Sequence, residues 1–162
     1  MKSISKSLNS NISQKLFYLL VLILFLRIDL VFENNTPTGG DMGAHIVAID
    51  TFIKDFMPNL QINGWSNDWF GGYPLYYFYF PLPAIITYIL NLVFSFGIAF
   101  KIMVVMSTIL VVYSIEKLMR KTSNQISIYG ATAGLFYVFT ESFTIYGGNL
   151  ASTLAGQFSF AY

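Results

Sequence analysis

Cysteine is absent from the 162-residue chain, which excludes disulfides, thiolate catalysis and cysteine-based zinc sites. Histidine occurs once, so no three-histidine metal centre can form within this sequence. Charge is scarce as well: 10% of residues are Asp, Glu, Lys or Arg, against about 25% in a soluble domain. That deficit rules out an ordinary globular surface. The net charge is +1 and no basic patch interleaves with aromatics, so nothing points to nucleic acid as a partner. No internal repeat or low-complexity tract is visible.

What fills the chain instead is apolar: 55% hydrophobic, 18% aromatic, mean hydropathy +0.59. Long apolar runs separated by short polar stretches predict an all-α, polytopic integral membrane protein with membrane lipid around it. The expected order is a cytoplasmic N-terminus (1–15) and a first transmembrane helix (16–32). A large outer loop (33–83) follows, carrying an amphipathic interfacial helix over 42–57. Then come a short apolar segment (84–97), transmembrane helices over 99–118 and 126–146, and an outer small-residue segment (147–162). The chain stops without a polar tail, and the expectation is an N-terminal piece of a longer protein.

Two topologies compete. If all four apolar runs cross, the Lys117, Arg120 and Lys121 cluster lands outside and breaks the positive-inside rule. If 84–97 re-enters or lies at the interface, the cluster falls inside. This second topology is preferred, because 84–97 is short for the ~20 residues a span needs. It puts Gly147, Gly148 and Asn149 on the same side as Asp41.

The most informative stretch is Gly-Gly-Asp-Met-Gly-Ala-His at 39–45. Two glycines allow a sharp turn, and Asp41 opens a helix on which His45 lies one turn later. Such a pair can bind a metal, share a proton or orient a hydroxyl. Asp41 also fits an ordinary helix N-cap, and His45 an ordinary interfacial histidine. Further along, Trp65, Trp69 and Tyr73 form either a bilayer-surface aromatic belt or a platform for a sugar. Glu141 lies near the outer end of its span, where a carboxylate is costly unless it faces a polar cavity. Asn149 is a pocket residue or a helix C-cap. Arg27, inside the first apolar run, is a snorkelling cation or one awaiting a phosphate.

Four motifs taken together resemble a known family: 39–45, Trp-Ser-Asn-Asp-Trp-Phe-Gly-Gly-Tyr-Pro at 65–74, Phe-Tyr-Phe-Pro-Leu-Pro at 78–83, and the Gly-Gly-Asn-Leu-Ala-Ser-Thr-Leu-Ala-Gly run at 147–156. They are similar to the prokaryotic membrane family labelled "6-pyruvoyl-tetrahydropterin synthase-related". One span followed by an outer loop with an early aspartate looks like the start of the GT-C glycosyltransferases. The pterin part of that label finds no support, since the soluble synthase uses three histidines and a cysteine. The resemblance implies a plasma-membrane enzyme with a cytoplasmic N-terminus. It would take sugar from a polyprenyl-phosphate donor at the outer face. Asp41 would serve as catalytic base or as ligand to a divalent metal, with His45 assisting. Trp65, Trp69, Tyr73, Glu141, Asn149 and Arg27 would hold substrate. A second outer-loop carboxylate is usual in that superfamily, and Asn149 stands where it would be expected. The alternative is a non-catalytic membrane protein: a transporter, or an assembly factor that binds saccharide or lipid.

Overall fold

A computed structural model describes residues 16–122, 127–142 and 147–162, and they are mostly helical. α1 (Leu16–Phe25) and α2 (Ile28–Val31) open the chain. α3 (Met42–Thr51) continues into a π-helical turn, Phe52–Phe56, and a 3-10 turn, Met57–Asn59. A small antiparallel hairpin pairs β1 (Gly64–Ser66) with β2 (Tyr73–Leu75), Trp65 lying opposite Pro74. α4 (Leu82–Asn91), α5 (Phe96–Thr122), α6 (Ser127–Val138) and α7 (Leu150–Leu154) follow, then a 3-10 turn, Gln157–Ala161.

Among the described residues only α5 is long and apolar enough to cross a membrane. Its 27 residues reach about 40 Å at ~1.5 Å each, against a hydrocarbon core of about 30 Å. α1 and α4 are apolar but short. The expected continuous helix over 16–32 is interrupted. Arg27 takes a left-handed conformation (φ 47°), and its guanidinium turns to grip Asp29 at 2.8 Å. In an unbroken helix, residues two apart point to different faces; the break is what lets them pair. The strands are a second departure from the all-α expectation.

α1, α5 and α6 form one bundle. Leu22, Val112, Leu135 and Val138 bury together at its centre. Gly130 of α6 packs on Met119 and Gly134 on Val112, so α6 runs antiparallel to α5. The Tyr18 and Thr132 hydroxyls meet at 2.8 Å and the Phe25 and Phe139 rings at 4.8 Å, so α1 runs parallel to α6. The small residues Gly130 and Gly134 permit this close approach.

A second core lies at the other end of α5. Phe100 and Met103 are fully buried there with Phe52, Ile49 and Phe158. The apolar stripe expected on 42–57 therefore faces the protein's own core. Ile49 and Phe56 are buried, and Ile46 and Ile53 pack against them. The π turn widens the helix so that both Phe52 and Phe56 reach this core. Asp50 and Lys54 form their i, i+4 ion pair at 2.6 Å on the outer face.

The start of α5 lies beside the chain leaving α2. A Cβ on Gly97 would meet the Asn35 backbone. Lys101, 9% exposed, donates its ammonium to the Leu30 carbonyl (2.6 Å), the Glu33 carbonyl (2.6 Å) and Asn35 Oδ1 (2.8 Å). The loop after α2, the start of α5 and the segment 147–162 thus share one end of the molecule. The Tyr162 hydroxyl, bonded to the Met103 carbonyl, fixes that last segment on α5.

Candidate functional site

The turn at 155–158 is built against the start of α3. The Asp41 N–H donates to the Ala155 carbonyl at 2.9 Å. Gln157 Nε2 donates to Asp41 Oδ2 at 2.8 Å, across 116 residues of sequence. Gly40 (φ +47°) and Gly156 (φ +101°) make the fit possible. A Cβ on Gly40 would run into the Ala155 carbonyl, and one on Gly156 would stand 2.9 Å from Asp41 Cβ. Left-handed backbone without a side chain is the property only glycine offers freely.

Asp41 occupies the N-cap position of α3, yet its carboxylate makes no capping bond. It is exposed and turned toward Gln157. His45, one turn on, stacks against Phe158 (ring centroids 4.7 Å) and Tyr79 (5.7 Å). Burial lowers the His45 pKa below its usual value. The Asp41 charge and the Gly156 carbonyl act the other way without reversing this. The ring is therefore neutral at pH 7, with one nitrogen a donor and the other an acceptor.

His45 forms part of the wall of a recess of about 670 Å³. Ala44, His45 and Ala48 of α3 face Trp69, Tyr73 and Tyr79 across it. Volume and apolar, ring-rich lining both suit a small organic ligand or part of a larger one. Trp69 and Tyr73 meet edge to face at 6.4 Å. Burial, aided by the charge of Asp68, raises the Tyr73 pKa, so the phenol stays a neutral donor.

Asp68 anchors the hairpin that carries these rings. Its Oδ2 accepts from the Thr51 hydroxyl and from the Ser66 hydroxyl, the latter at 2.7 Å. Those two bonds, Thr51's first, hold its carboxyl below the usual range. α3 and β1 are thereby tied through one carboxylate.

No family model, curated protein or solved structure matches this chain. The site therefore stands on its own geometry.

Asp41, His45, Trp69 and Tyr73 come together at one end of the molecule, Asp41 beside the recess and the other three in its wall. Trp65, Glu141, Asn149 and Arg27 do not line it. Trp65 alternates to the other face of the hairpin, exposed beside Gly72. Glu141 is exposed just beyond α6. Asn149 is buried as the N-cap of α7, where its Oδ1 accepts from the Ser152 N–H at 2.9 Å. Its Nδ2 donates to the Thr140 and Ser142 carbonyls, at 3.2 and 2.5 Å. Asn149 thus spends its amide on holding the chain, at the start of a helix rather than the end of one. Arg27 lies by a separate cleft beside α5.

Tyr79 belongs to the aromatic run that the sequence displays, whereas Gln157 and Phe158 carry no such signal. The small-residue run before Gln157 signals close packing but not what it packs on. A divalent metal fits this donor set poorly. Among the described residues no three His, Asp or Glu side chains converge. Asp41 already gives one oxygen to Gln157, whereas hard cations take about six or more oxygens.

Proposed function

We propose that the chain is part of a plasma-membrane glycosyltransferase-like protein whose aromatic recess receives the sugar of a polyprenyl-phosphate donor at the outer face. The observation that carries this reading is the ring-walled recess reaching His45, one turn from an exposed carboxylate that caps nothing. Flat rings offer a sugar its apolar faces, and Tyr73 adds a hydroxyl to orient it. Asp41 then takes the proton of the acceptor hydroxyl as its oxygen bonds to the anomeric carbon and the bond from that carbon to the polyprenyl phosphate breaks, the phosphate leaving with the electron pair. Neutral His45 orients the acceptor. Gln157 holds the carboxylate in place.

The bundle geometry supports the orientation. Lys2, Lys6 and Lys15 precede α1, and Lys117, Arg120 and Lys121 close α5. Since α1 runs antiparallel to α5, the start of α1 lies at the end of the bundle that carries Lys117, Arg120 and Lys121, and the positive-inside rule makes that end cytoplasmic. The recess lies at the opposite end. α4, about 15 Å long, is half the length of a ~30 Å hydrocarbon core, which fits an interfacial or re-entrant helix.

The test is Asp41→Asn in the full-length protein, in its own membrane, with transfer from a polyprenyl-phosphate sugar as readout. The expected loss is about a hundredfold or more, the range for removing a general base. Wild-type transfer by Asp41→Asn would overturn the catalytic role. Donor binding with no transfer by either form would select the non-catalytic reading.

A further inference from the structure

A second cleft, of about 310 Å³, lies between the α1–α2 break, α5 and α7, apart from the aromatic recess. Its wall is apolar: Leu30, Val31, Met42, Val104, Val105 and Leu150 contribute. Its rim includes Phe25, Leu30 and Leu154, all exposed large side chains of the kind that face lipid.

Three polar features break this apolar lining. Thr108 and Thr153 both line the cleft, each 1% exposed, and neither hydroxyl has a partner among the described residues. Thr108 would ordinarily bond the Val104 carbonyl one turn back, but Ser107 takes that carbonyl at 2.6 Å. Threonine in a helix divides between two χ1 rotamers, which exchange methyl and hydroxyl positions. A buried hydroxyl left unpaired costs about 1–3 kcal/mol, so an acceptor in the cleft is favoured.

The third feature is positive charge. All three N–H groups of Lys101, which lines the cleft, go to neutral acceptors. Glu33 reaches that ammonium only through space. Arg27 at the same cleft binds Asp29 through Nε and Nη2, which leaves donors on its other edge.

We propose that this cleft holds one acyl chain of an anionic, ester-linked phospholipid, its ester oxygens accepting from Thr108 and Thr153 and its phosphate beside Arg27 and Lys101. An apolar wall takes the chain, orphan donors take the ester, and uncompensated charge takes the headgroup. A polyprenyl phosphate would satisfy only the wall and the charge. The proposal rests on the membrane placement given above.

The full chain is reconstituted in phosphatidylcholine vesicles with trace phosphatidylglycerol carrying a photoreactive acyl chain. Labelled peptides are then mapped by mass spectrometry. Label is expected on the α5 peptide around Thr108 and on α7. Unlabelled diester phosphatidylglycerol should compete about tenfold better than its diether analogue, as expected for two hydrogen bonds. In Thr108→Val/Thr153→Val, which keeps side-chain volume, that difference should vanish. Equal competition by ester and ether in the wild type overturns the proposal, as does label confined to exposed α1 residues such as Leu16 and Phe17. Alkaline extraction separates the two failures. A chain retained in the membrane without cleft label refutes the cleft alone, and a chain released from it refutes the membrane placement too.

Discussion

Replacing Gly40 by alanine should detach Asp41 from the turn that holds it. The residue sits at φ +47°, where an L side chain costs about 1–2 kcal/mol. The new methyl also runs into the Ala155 carbonyl, which accepts the Asp41 N–H at 2.9 Å. Losing that bond removes about 0.5–1.5 kcal/mol more. The combined loss is about 2–3 kcal/mol. Gly43→Ala provides the contrast three residues away. That glycine lies in α3 with open space where a Cβ would go. Alanine there should stabilise the helix by about 0.5–1 kcal/mol. Denaturation of the purified protein in detergent measures both changes. Hydrogen exchange at the Asp41 amide reports the corner itself. A Gly40→Ala protein with wild-type stability and an equally protected Asp41 amide would refute the account of how the site is held.

Two further outcomes follow from the structure. Burial depresses the folded-state pKa of His45, so between that value and the unfolded ~6.5 the unfolded chain binds more protons. Stability is then fully present above about pH 6.5 and falls as pH drops through that window; His45→Phe, which keeps the stack on Phe158, should flatten this slope in melts between pH 7.5 and 5. Lys101→Met should cost about 2–4 kcal/mol, because it strips three acceptors of their donor, and hydrogen exchange over residues 30–35 should speed up; unchanged exchange there would mean the loop holds itself.

Some of this was legible from residue pattern and some was not, for identifiable reasons. A long apolar run with a basic end reads directly as a helix over 99–118, within the observed Phe96–Thr122, since length and composition are local properties. The helix after Asp41 reads from its isoleucine spacing, though its apolar side faces the protein's own core. The break at Arg27 does not read, because Arg27 and Asp29 are lone charges in an otherwise apolar run over 16–32, with no proline or glycine to mark a break. It depends on Lys101, some seventy residues on, capturing the Leu30 and Glu33 carbonyls. The hairpin does not read either. Its strands are three residues each, and Asp68 ties β1 to Thr51 on another element. Trp69, in the loop between the strands, lines the recess and Trp65, on β1, does not, so an aromatic run visible in sequence is only partly a site. The sequence reading puts Gly147, Gly148 and Asn149 on the side of Asp41, but the contact of 39–41 with 155–157, through Gln157, needed the fold.

That contact also has a timetable. Asp41 leaves the ribosome with its amide and carboxylate unmatched, and both of its partners lie more than a hundred residues downstream. At ~5–20 residues per second, roughly six to twenty seconds of synthesis separate the two. Throughout that interval Asp41 waits while the α5–α6 hairpin is still being made. The corner cannot close until Ala155 and Gln157 have been made, and a ribosome stalled before Ala155 would leave behind a chain whose acidic corner never closed.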